Sequence, residues 1–190
     1  KVLIDRLDIF SEDFKMGGTL DLDVSLERSL HNNSLNVDGN ISGFNLNKLF
    51  MGDLSFFTEG NTGNNSHDIN LLLSDGLNET LIGNGNIFGI DQKSSLNIDF
   101  NFNDFNLSFL NPIGNGDIDN IRGKVSGVLN LSGSIDNLSH VGKLILDDGG
   151  LSISKVNTDY KIRSGTVVNL KNQTFNFQPT TFKDTKFGTQ

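Results

Sequence analysis

The sequence predicts an all-β protein, and three observations support that fold class. Apolar and polar residues alternate over most of the chain, which is the period of a strand with one buried face. The sequence has 21 Gly and no Ala, the strongest helix former, so helices are disfavoured. Turn signals separate the alternating runs at intervals of roughly 8–14 residues. They include Asp38-Gly39, Asp75-Gly76, Gly83-Asn-Gly85, Gly114-Asn-Gly116 and Asp147-Asp-Gly-Gly150.

The first clear strand pattern has Leu20, Leu22, Val24 and Leu26 on one face and acidic or polar residues between them. Further copies follow at Leu96/Ile98/Phe100/Phe102, Leu129/Leu131, Leu144/Leu146, Leu151/Ile153, Tyr160/Ile162, Val168/Leu170 and Phe175/Phe177. One face is therefore expected to be Leu, Ile, Val and Phe, and the other Asn, Asp and Ser. Strands buried on both faces would be continuously apolar, so a helix-covered parallel sheet is disfavoured.

One segment departs from the strand period. In Asn45–Phe57, the residues Leu46, Leu49, Phe50, Leu54 and Phe57 lie at helical offsets. The segment fits a short amphipathic helix lying on the sheet, and it also fits a bulged strand with a loop.

An internal repeat indicates a modular build. Leu35–Leu49 aligns without gaps to Leu96–Leu110, with eight identical residues in fifteen positions. Both copies change their apolar parity at the same place, after Ile41 and after Phe102. We therefore expect the two segments to share local structure in an elongated architecture whose modules mainly touch their neighbours.

Composition excludes several classes of protein. The 190 residues carry a formal net charge of −8 without a run of Lys or Arg, so a nucleic-acid partner is not expected. There is no Cys, hence no disulfide framework or thiolate metal site. No stretch of about 18 apolar residues is present to span a membrane as a helix. The chain starts at Lys1 without a signal pattern and stops at Gln190 without a closing turn, so we expect a piece of a longer protein.

Catalytic chemistry is not predicted. His31, His67 and His140 are isolated in polar contexts and are expected to be solvated loop residues. Asp117 and Asp119 fit the start of a calcium loop, but the Gly and the bidentate Glu of such a loop are missing, so turn chemistry is the better explanation. We expect no enzyme activity, no metal site and no cofactor.

The apolar face is the informative feature, because it is almost free of polar residues. It can be the interior of an ordinary sandwich or barrel. Alternatively, it lines an open groove, and soluble proteins usually keep such exposed apolar surface for a ligand or partner.

The C-terminal half carries a family resemblance. In order, Val125–Gly133, Gly142–Ile153, Val156–Tyr160, Phe175–Asp184 and Phe187–Thr189 resemble the C-terminal region of the TamB family, the translocation and assembly module proteins of the AsmA-like superfamily. The similarity is strong from Leu96 to Gln190. Before that, it rests on the repeat and the strand pattern.

The resemblance implies a folded-over, taco-like β-sheet with a hydrophobic concave groove. Residues 1–95 would be a β-groove repeat segment and residues 96–190 the part resembling the TamB C-terminal domain, both within one continuous rod. Such proteins lie in the periplasm, are anchored in the inner membrane by a segment absent here, and engage an outer-membrane barrel of the Omp85 family.

The function implied is conduction of phospholipid acyl chains to the outer membrane, assistance to outer-membrane protein assembly, or both. The alternation of apolar and polar residues gives the groove-lining candidates, but it does not tell which face is concave. They are Leu96, Ile98, Phe100, Phe102, Leu129, Leu131, Leu144, Leu146, Leu151, Ile153, Tyr160, Ile162, Phe175 and Phe177.

A structural role is the alternative. A surface adhesin or passenger built as a parallel β-helix would also favour Asn, Gly and acidic charge, and would have a closed, dry core. The irregular spacing of the turn signals argues against it.

Overall fold

The computed structural model describes residues 2–7, 15–28, 33–61, 65–89, 94–114, 116–134, 136–172 and 174–188. Most of them belong to one sheet, so the predicted all-β class is confirmed. The strands are β1 (Val2–Leu7), β2 (Met16–Arg28), β3 (Asn33–Leu46), β4 (Leu49–Asn61), β5 (Ser66–Ser74), β6 (Glu79–Phe88), β7 (Ser95–Asn106), β8 (Ile118–Ser134), β9 (Asn137–Ile153), β10 (Thr158–Ile162), β11 (Thr166–Lys171), β12 (Thr174–Phe177) and β13 (Phe182–Asp184). A 3₁₀ helix, Leu107–Gly114, follows β7, and a shorter one, Ser154–Val156, follows β9.

The sheet is an antiparallel meander that splits at its C-terminal edge. Strands β1 to β9 each pair with the next strand in the chain. The 17-residue β9 then accepts two short strands on its free side, β11 along Val141–Leu146 and β10 along Gly150–Ile153. Strand β12 pairs with the outer side of β11, and β13 pairs with the outer side of β10. Every described strand pair is antiparallel, so the parallel β-helix of the alternative prediction is wrong. The proposed boundary between residues 95 and 96 falls at the start of β7, which pairs with β6 over eight residues.

The helix considered for Asn45–Phe57 is wrong, because this segment is a β-hairpin. Leu46 of β3 pairs with Leu49 of β4. Asn47 and Lys48 form the two-residue turn between them, with φ of 53° and 67°, as a type I′ hairpin turn requires. The helical spacing of apolar residues arose because a turn and a bulge shift the parity, and because Phe50 and Phe57 point to the opposite face.

The parity switch predicted from the repeat is present in both copies. In β3 the register shifts between Ile41 and Phe44, where Gly43 has a φ of 64°. In β7 it shifts between Phe102 and Phe105, where Asp104 has a φ of 51°. Each bulge inserts one residue and returns the next phenylalanine to the face of the preceding apolar residue. The copies then diverge, because one continues into a hairpin and the other into the 3₁₀ helix.

Several of the expected turns lie inside strands. Asp75-Gly76 does connect β5 to β6, and the 114–116 segment precedes β8. By contrast, Asp38-Gly39, Gly83-Asn-Gly85 and Asp147–Gly150 lie within β3, β6 and β9. At Asp148 the strand contains a bulge, with a φ of 49°. Glycine therefore marks bulges and close side-chain contacts in this sheet as often as it marks chain reversals.

The core sits on one face of the sheet. Its buried residues come from strands β3, β4, β5, β7 and β8: Ile41, Phe44, Met51, Leu73, Phe105 and Val125. Half-buried residues from β2, β6, β9 and the longer 3₁₀ helix pack against them. No helix in the described residues is both long and apolar enough to span a bilayer.

Candidate functional site

Strand pairing places the apolar residues of successive strands in rows on one face, which we call the apolar face. Directly paired residues of antiparallel strands point to the same side of the sheet. One row crosses ten strands and consists of Leu20, Ile41, Leu54, Leu73, Leu81, Phe102, Gly127, Leu144, Val168 and Phe177. The next row consists of Leu22, Gly39, Phe56, Leu71, Gly83, Phe100, Leu129, Gly142, Leu170 and Phe175. The apolar face thus extends from β2 to β12.

Ten of the fourteen predicted residues lie on this face by direct pairing. Those on β7, β8, β9 and β12 are Leu96, Ile98, Phe100, Phe102, Leu129, Leu131, Leu144, Leu146, Phe175 and Phe177. Ile98 and Leu146 are buried, whereas Phe175 and Phe177 are exposed and the others are half-buried.

The other four predicted residues return to the apolar face beyond the bulge at Asp148. A side chain at Gly149 would meet Leu146, so Leu151 and Ile153 share that side. Tyr160 pairs with Leu151. Tyr160 and Ile162 alternate along β10, and Ile162 is buried. The strand pairing therefore brings the whole predicted set to one face.

The most buried part of this face lies in the N-terminal half and is not among the predicted residues. Leu73 is the most buried of these side chains, at 1% exposure, and Ile41, Phe44 and Met51 surround it in the core cluster. The same parity that selected the C-terminal candidates applies to Ile41 and Leu73. Phe44 and Met51 were hidden by bulges, because a bulge inverts the alternation that identifies a face.

The apolar face forms a pocket of about 450 Å³. Its lining contains no polar side chain and consists of Met16, Phe44, Leu46, Met51, Leu54, Leu71, Leu73, Leu81 and Phe105. These residues come from six neighbouring strands, β2 to β7. The pocket therefore extends across six strands of the apolar face.

The Leu107–Gly114 helix packs against the core beside this pocket. The Phe109 ring packs edge-on against Phe105, with ring centres 5.5 Å apart, and Phe105 packs in the same way on Phe102. Asn47, in the β3–β4 turn, donates a hydrogen bond from Nδ2 to the carbonyl of Phe109 at 3.1 Å. Asn111 fixes the other end of the helix, since its Oδ1 accepts the backbone N–H of Ile121 at 2.6 Å.

The apolar face is open at the far end of the strands. Leu22, Val24 and Leu26 of β2 are between 48% and 53% exposed, although they belong to the same face as buried Ile41. The burial of apolar side chains therefore decreases along β2 away from the 3₁₀ helix.

Two histidines lie on the apolar face, so the expectation of solvated loop residues is wrong for them. His67 is in β5, paired with Gly60, and His140 is in β9, paired with Leu131. Each has a buried Nε2 atom without a hydrogen-bond partner among the described residues. The His140 ring lies 5.1 Å from that of Phe175. His31 is outside the described residues.

The opposite face is less uniformly polar than predicted. It carries Asn and Asp over most of its area, but Leu72 and Ile82 are directly paired on it. Val128, Val141 and Ile145 are exposed on the same side. Alternation does not predict these residues, because each is an apolar residue that lies between two residues of the apolar face.

A polar cluster on the opposite face joins three strands and a turn at the C-terminal edge. The guanidinium of Arg122 donates two hydrogen bonds to the carboxylate of Asp159, Nη1 to Oδ1 and Nη2 to Oδ2, both at 2.9 Å. Ser152 Oγ and Thr185 Oγ1 donate to the same carboxylate at 2.7 and 2.6 Å. Arg122 first, and then the two hydroxyl groups, hold the pKa of Asp159 well below its usual range. The cluster fastens β10 and the turn after β13 to β8 and β9.

The acidic residues of the suspected calcium loop have protein partners. Asp117 Oδ2 accepts from Lys155 Nζ at 2.6 Å, and Asp119 Oδ2 accepts from Ser154 Oγ at 2.9 Å. In the part of the chain that the structure describes, no group of three or more His, Asp or Glu is arranged to hold a metal ion.

No family model, curated protein or solved structure matches this chain. The resemblance to the TamB family therefore rests on the residues quoted for it. The arrangement itself offers a long apolar surface, buried at one end and exposed at the other.

Proposed function

We propose that this chain is a segment of a periplasm-spanning envelope protein that conducts phospholipids toward the outer membrane along its apolar face. The supporting observation is the continuity of that face, with aligned apolar rows over ten strands and a pocket without polar lining. An ordinary closed core would leave little of this surface exposed. Here Leu22, Val24 and Leu26 are about half exposed on the same face.

The mechanism is passive. Each methylene group of an acyl chain gains about 0.8 kcal/mol when it leaves water. Leu, Ile, Val and Phe side chains offer nearly equivalent contacts, so a chain can move from one row to the next without a deep minimum. The headgroup stays in water at the margin of the face. No covalent step and no cofactor take part.

The cellular setting of this proposal comes from the TamB resemblance. In the full-length protein, a preceding segment would anchor the chain in the inner membrane. An Omp85-family barrel would be the partner at the outer membrane, and outer-membrane protein assembly would be the second role. A pocket that extends across six strands of the apolar face is compatible with a conduit for single lipid molecules.

The test is lipid mass spectrometry on the chain purified from bacterial envelopes. We compare the wild type with Leu144→Arg plus Phe175→Arg, two charges on the apolar face. The matched control is Ile145→Arg plus Asn176→Arg, which places the same charges on adjacent residues of the opposite face.

Phospholipid enriched on the wild type and on the control, but lost from the first variant, supports the proposal. A cooperative unfolding transition must be retained by all three proteins, which circular dichroism checks. A wild type purified without lipid, or equal lipid loss in both variants, contradicts the proposal and favours a purely structural sheet.

A further inference from the structure

Aromatic residues are exposed at the C-terminal edge of the sheet. Phe175 and Phe177 of β12, Phe182 of β13 and Phe187 in the following turn are all exposed, with Phe175 at 62% and Phe187 at 65%. The rings of Phe177 and Phe182 are 6.2 Å apart. We call these four residues the aromatic patch. Soluble proteins seldom leave such a cluster in water without a partner.

The charge of this edge is opposite to that of the remaining chain. Residues 155–190 contain six Lys or Arg and two Asp, a net charge of +4. The preceding 154 residues contain nine Lys or Arg and 21 Asp or Glu, a net charge of −12. The overall charge of −8 therefore conceals a cationic C-terminal end.

Neither acidic residue of this segment neutralises its lysines. Asp159 is engaged by Arg122, Ser152 and Thr185. Asp184 is only 3% exposed and accepts the backbone N–H groups of the turn that follows it. Lys155 pairs with Asp117. For the other five cationic side chains, no ion pair is present within the described residues, and all five are exposed.

Two of these lysines are directly opposed. Lys161 of β10 pairs with Lys183 of β13. Neither has an ion-pair partner within the described residues, and both are exposed. Like charges directly across two strands destabilise a sheet. An external anion would relieve this repulsion.

We propose that the β10–β13 edge docks on the surface of a lipid bilayer with anionic headgroups. The aromatic patch would enter the interfacial region, while the lysines would reach the headgroups with their amines. Lys161 and Lys183 would do so from the opposite face of the strands that carry Ile162 and Phe182. The acidic remainder of the chain would be repelled by the same surface, which orients the sheet with its C-terminal edge toward the bilayer. This inference goes beyond the proposed function, since it does not require acyl chains to move along the sheet.

The test is co-sedimentation of the 190-residue chain with vesicles of phosphatidylcholine alone and with vesicles that also contain phosphatidylglycerol. We expect binding to the second kind only, weakening as salt screens the attraction. Each lysine near an anionic surface strengthens binding roughly fivefold, so Lys161→Gln plus Lys183→Gln should weaken it roughly 25-fold. This variant removes a repulsion and should fold at least as stably as the wild type. Phe187→Ser should also weaken binding.

Two controls carry the same substitutions elsewhere. Lys48→Gln plus Lys143→Gln removes two exposed lysines outside the edge, and Phe50→Ser removes a phenylalanine that is 63% exposed in β4. Both should bind as the wild type does. Equal binding to the two kinds of vesicle, equal losses in the controls, or no binding by the wild type would overturn the inference. If the Lys161→Gln plus Lys183→Gln variant copurifies with as much lipid as the wild type does, the conduit proposal stands whatever the vesicle experiment shows.

Discussion

The ring of Phe56 lies directly over Gly39, its paired residue on the neighbouring strand. A Cβ atom at Gly39 would overlap the ring atoms of Phe56. Gly83 and Phe100 repeat this pairing in β6 and β7, with a Cβ at Gly83 meeting the ring at 3.0 Å. In both places a strand glycine makes room for an aromatic ring on the apolar face.

Gly39→Ala should therefore destabilise the sheet by about 1–3 kcal/mol, because the Phe56 ring must move out of its place. The backbone of Gly39 does not lie in the left-handed region, so the effect comes from packing alone. Urea unfolding of the single and double variants measures it. The same change at Gly83 should cost less, because the clash there is milder. In the Phe56→Leu background, Gly39→Ala should lose most of its effect, and an undiminished cost there would refute the packing explanation.

A second prediction concerns the contact between the β3–β4 turn and the 3₁₀ helix beside the pocket. Asn47 Oδ1 accepts the backbone N–H of Lys15 at 2.9 Å, and its Nδ2 donates to the Phe109 carbonyl. Asn47→Gly keeps the positive φ of the turn but removes both hydrogen bonds. Since each bond contributes about 0.5–1.5 kcal/mol, backbone amides of the 3₁₀ helix should exchange roughly 2–12 times faster with deuterium.

Lys48→Gly is the control for this prediction. Lys48 also has a positive φ, and its substitution makes the turn equally flexible without removing those two bonds. Exchange in the helix should then stay at the wild-type rate. If both variants accelerate exchange in the helix equally, turn flexibility rather than the Asn47 side chain determines how firmly the 3₁₀ helix is held.

The sequence was sufficient for the fold class and for the C-terminal part of the apolar face, because both follow from alternation. Leu144 and Phe175 were assigned to one face by parity, and strand pairing places them there. The bulges at Gly43 and Asp104 were visible only as paired parity switches in the repeat. Parity cannot predict contacts between residues that are far apart in the sequence. The contact between Asn47 and Phe109 joins residues 62 positions apart, and no local pattern encodes it.

His67 and His140 show a second limit of local patterns. His67 lies between Ser66 and Asp68, and His140 follows Ser139, so the sequence predicts solvated loop residues. In the sheet, register alone brings them to the apolar face, opposite Gly60 and Leu131. The cationic C-terminal edge is not predicted for a related reason, since its lysines are spread over three strands, a short 3₁₀ helix and a turn and form no run in the sequence.

The last prediction concerns acid stability and rests on Arg122 and Asp159. The pKa of Asp159 is lowered in the folded protein from an ordinary value of 3.8, chiefly by Arg122. A carboxylate with a lowered pKa stabilises the fold above its unfolded pKa, and this contribution is lost as pH falls below that value. The wild type should therefore lose stability below about pH 4. Asp159→Asn should lose about 1–3 kcal/mol at neutral pH and show a flatter dependence in acid.

Asp117→Asn is the matched control, because Asp117 also has a cationic partner but is far more exposed. Its ion pair with Lys155 should contribute about 0–1 kcal/mol, so neither neutral stability nor the acid profile should change much. Urea unfolding from pH 7 to pH 3 compares the three proteins. Parallel acid profiles for Asp159→Asn and the wild type would show that Arg122 does not hold β10 and β13 on the sheet through the charge of Asp159.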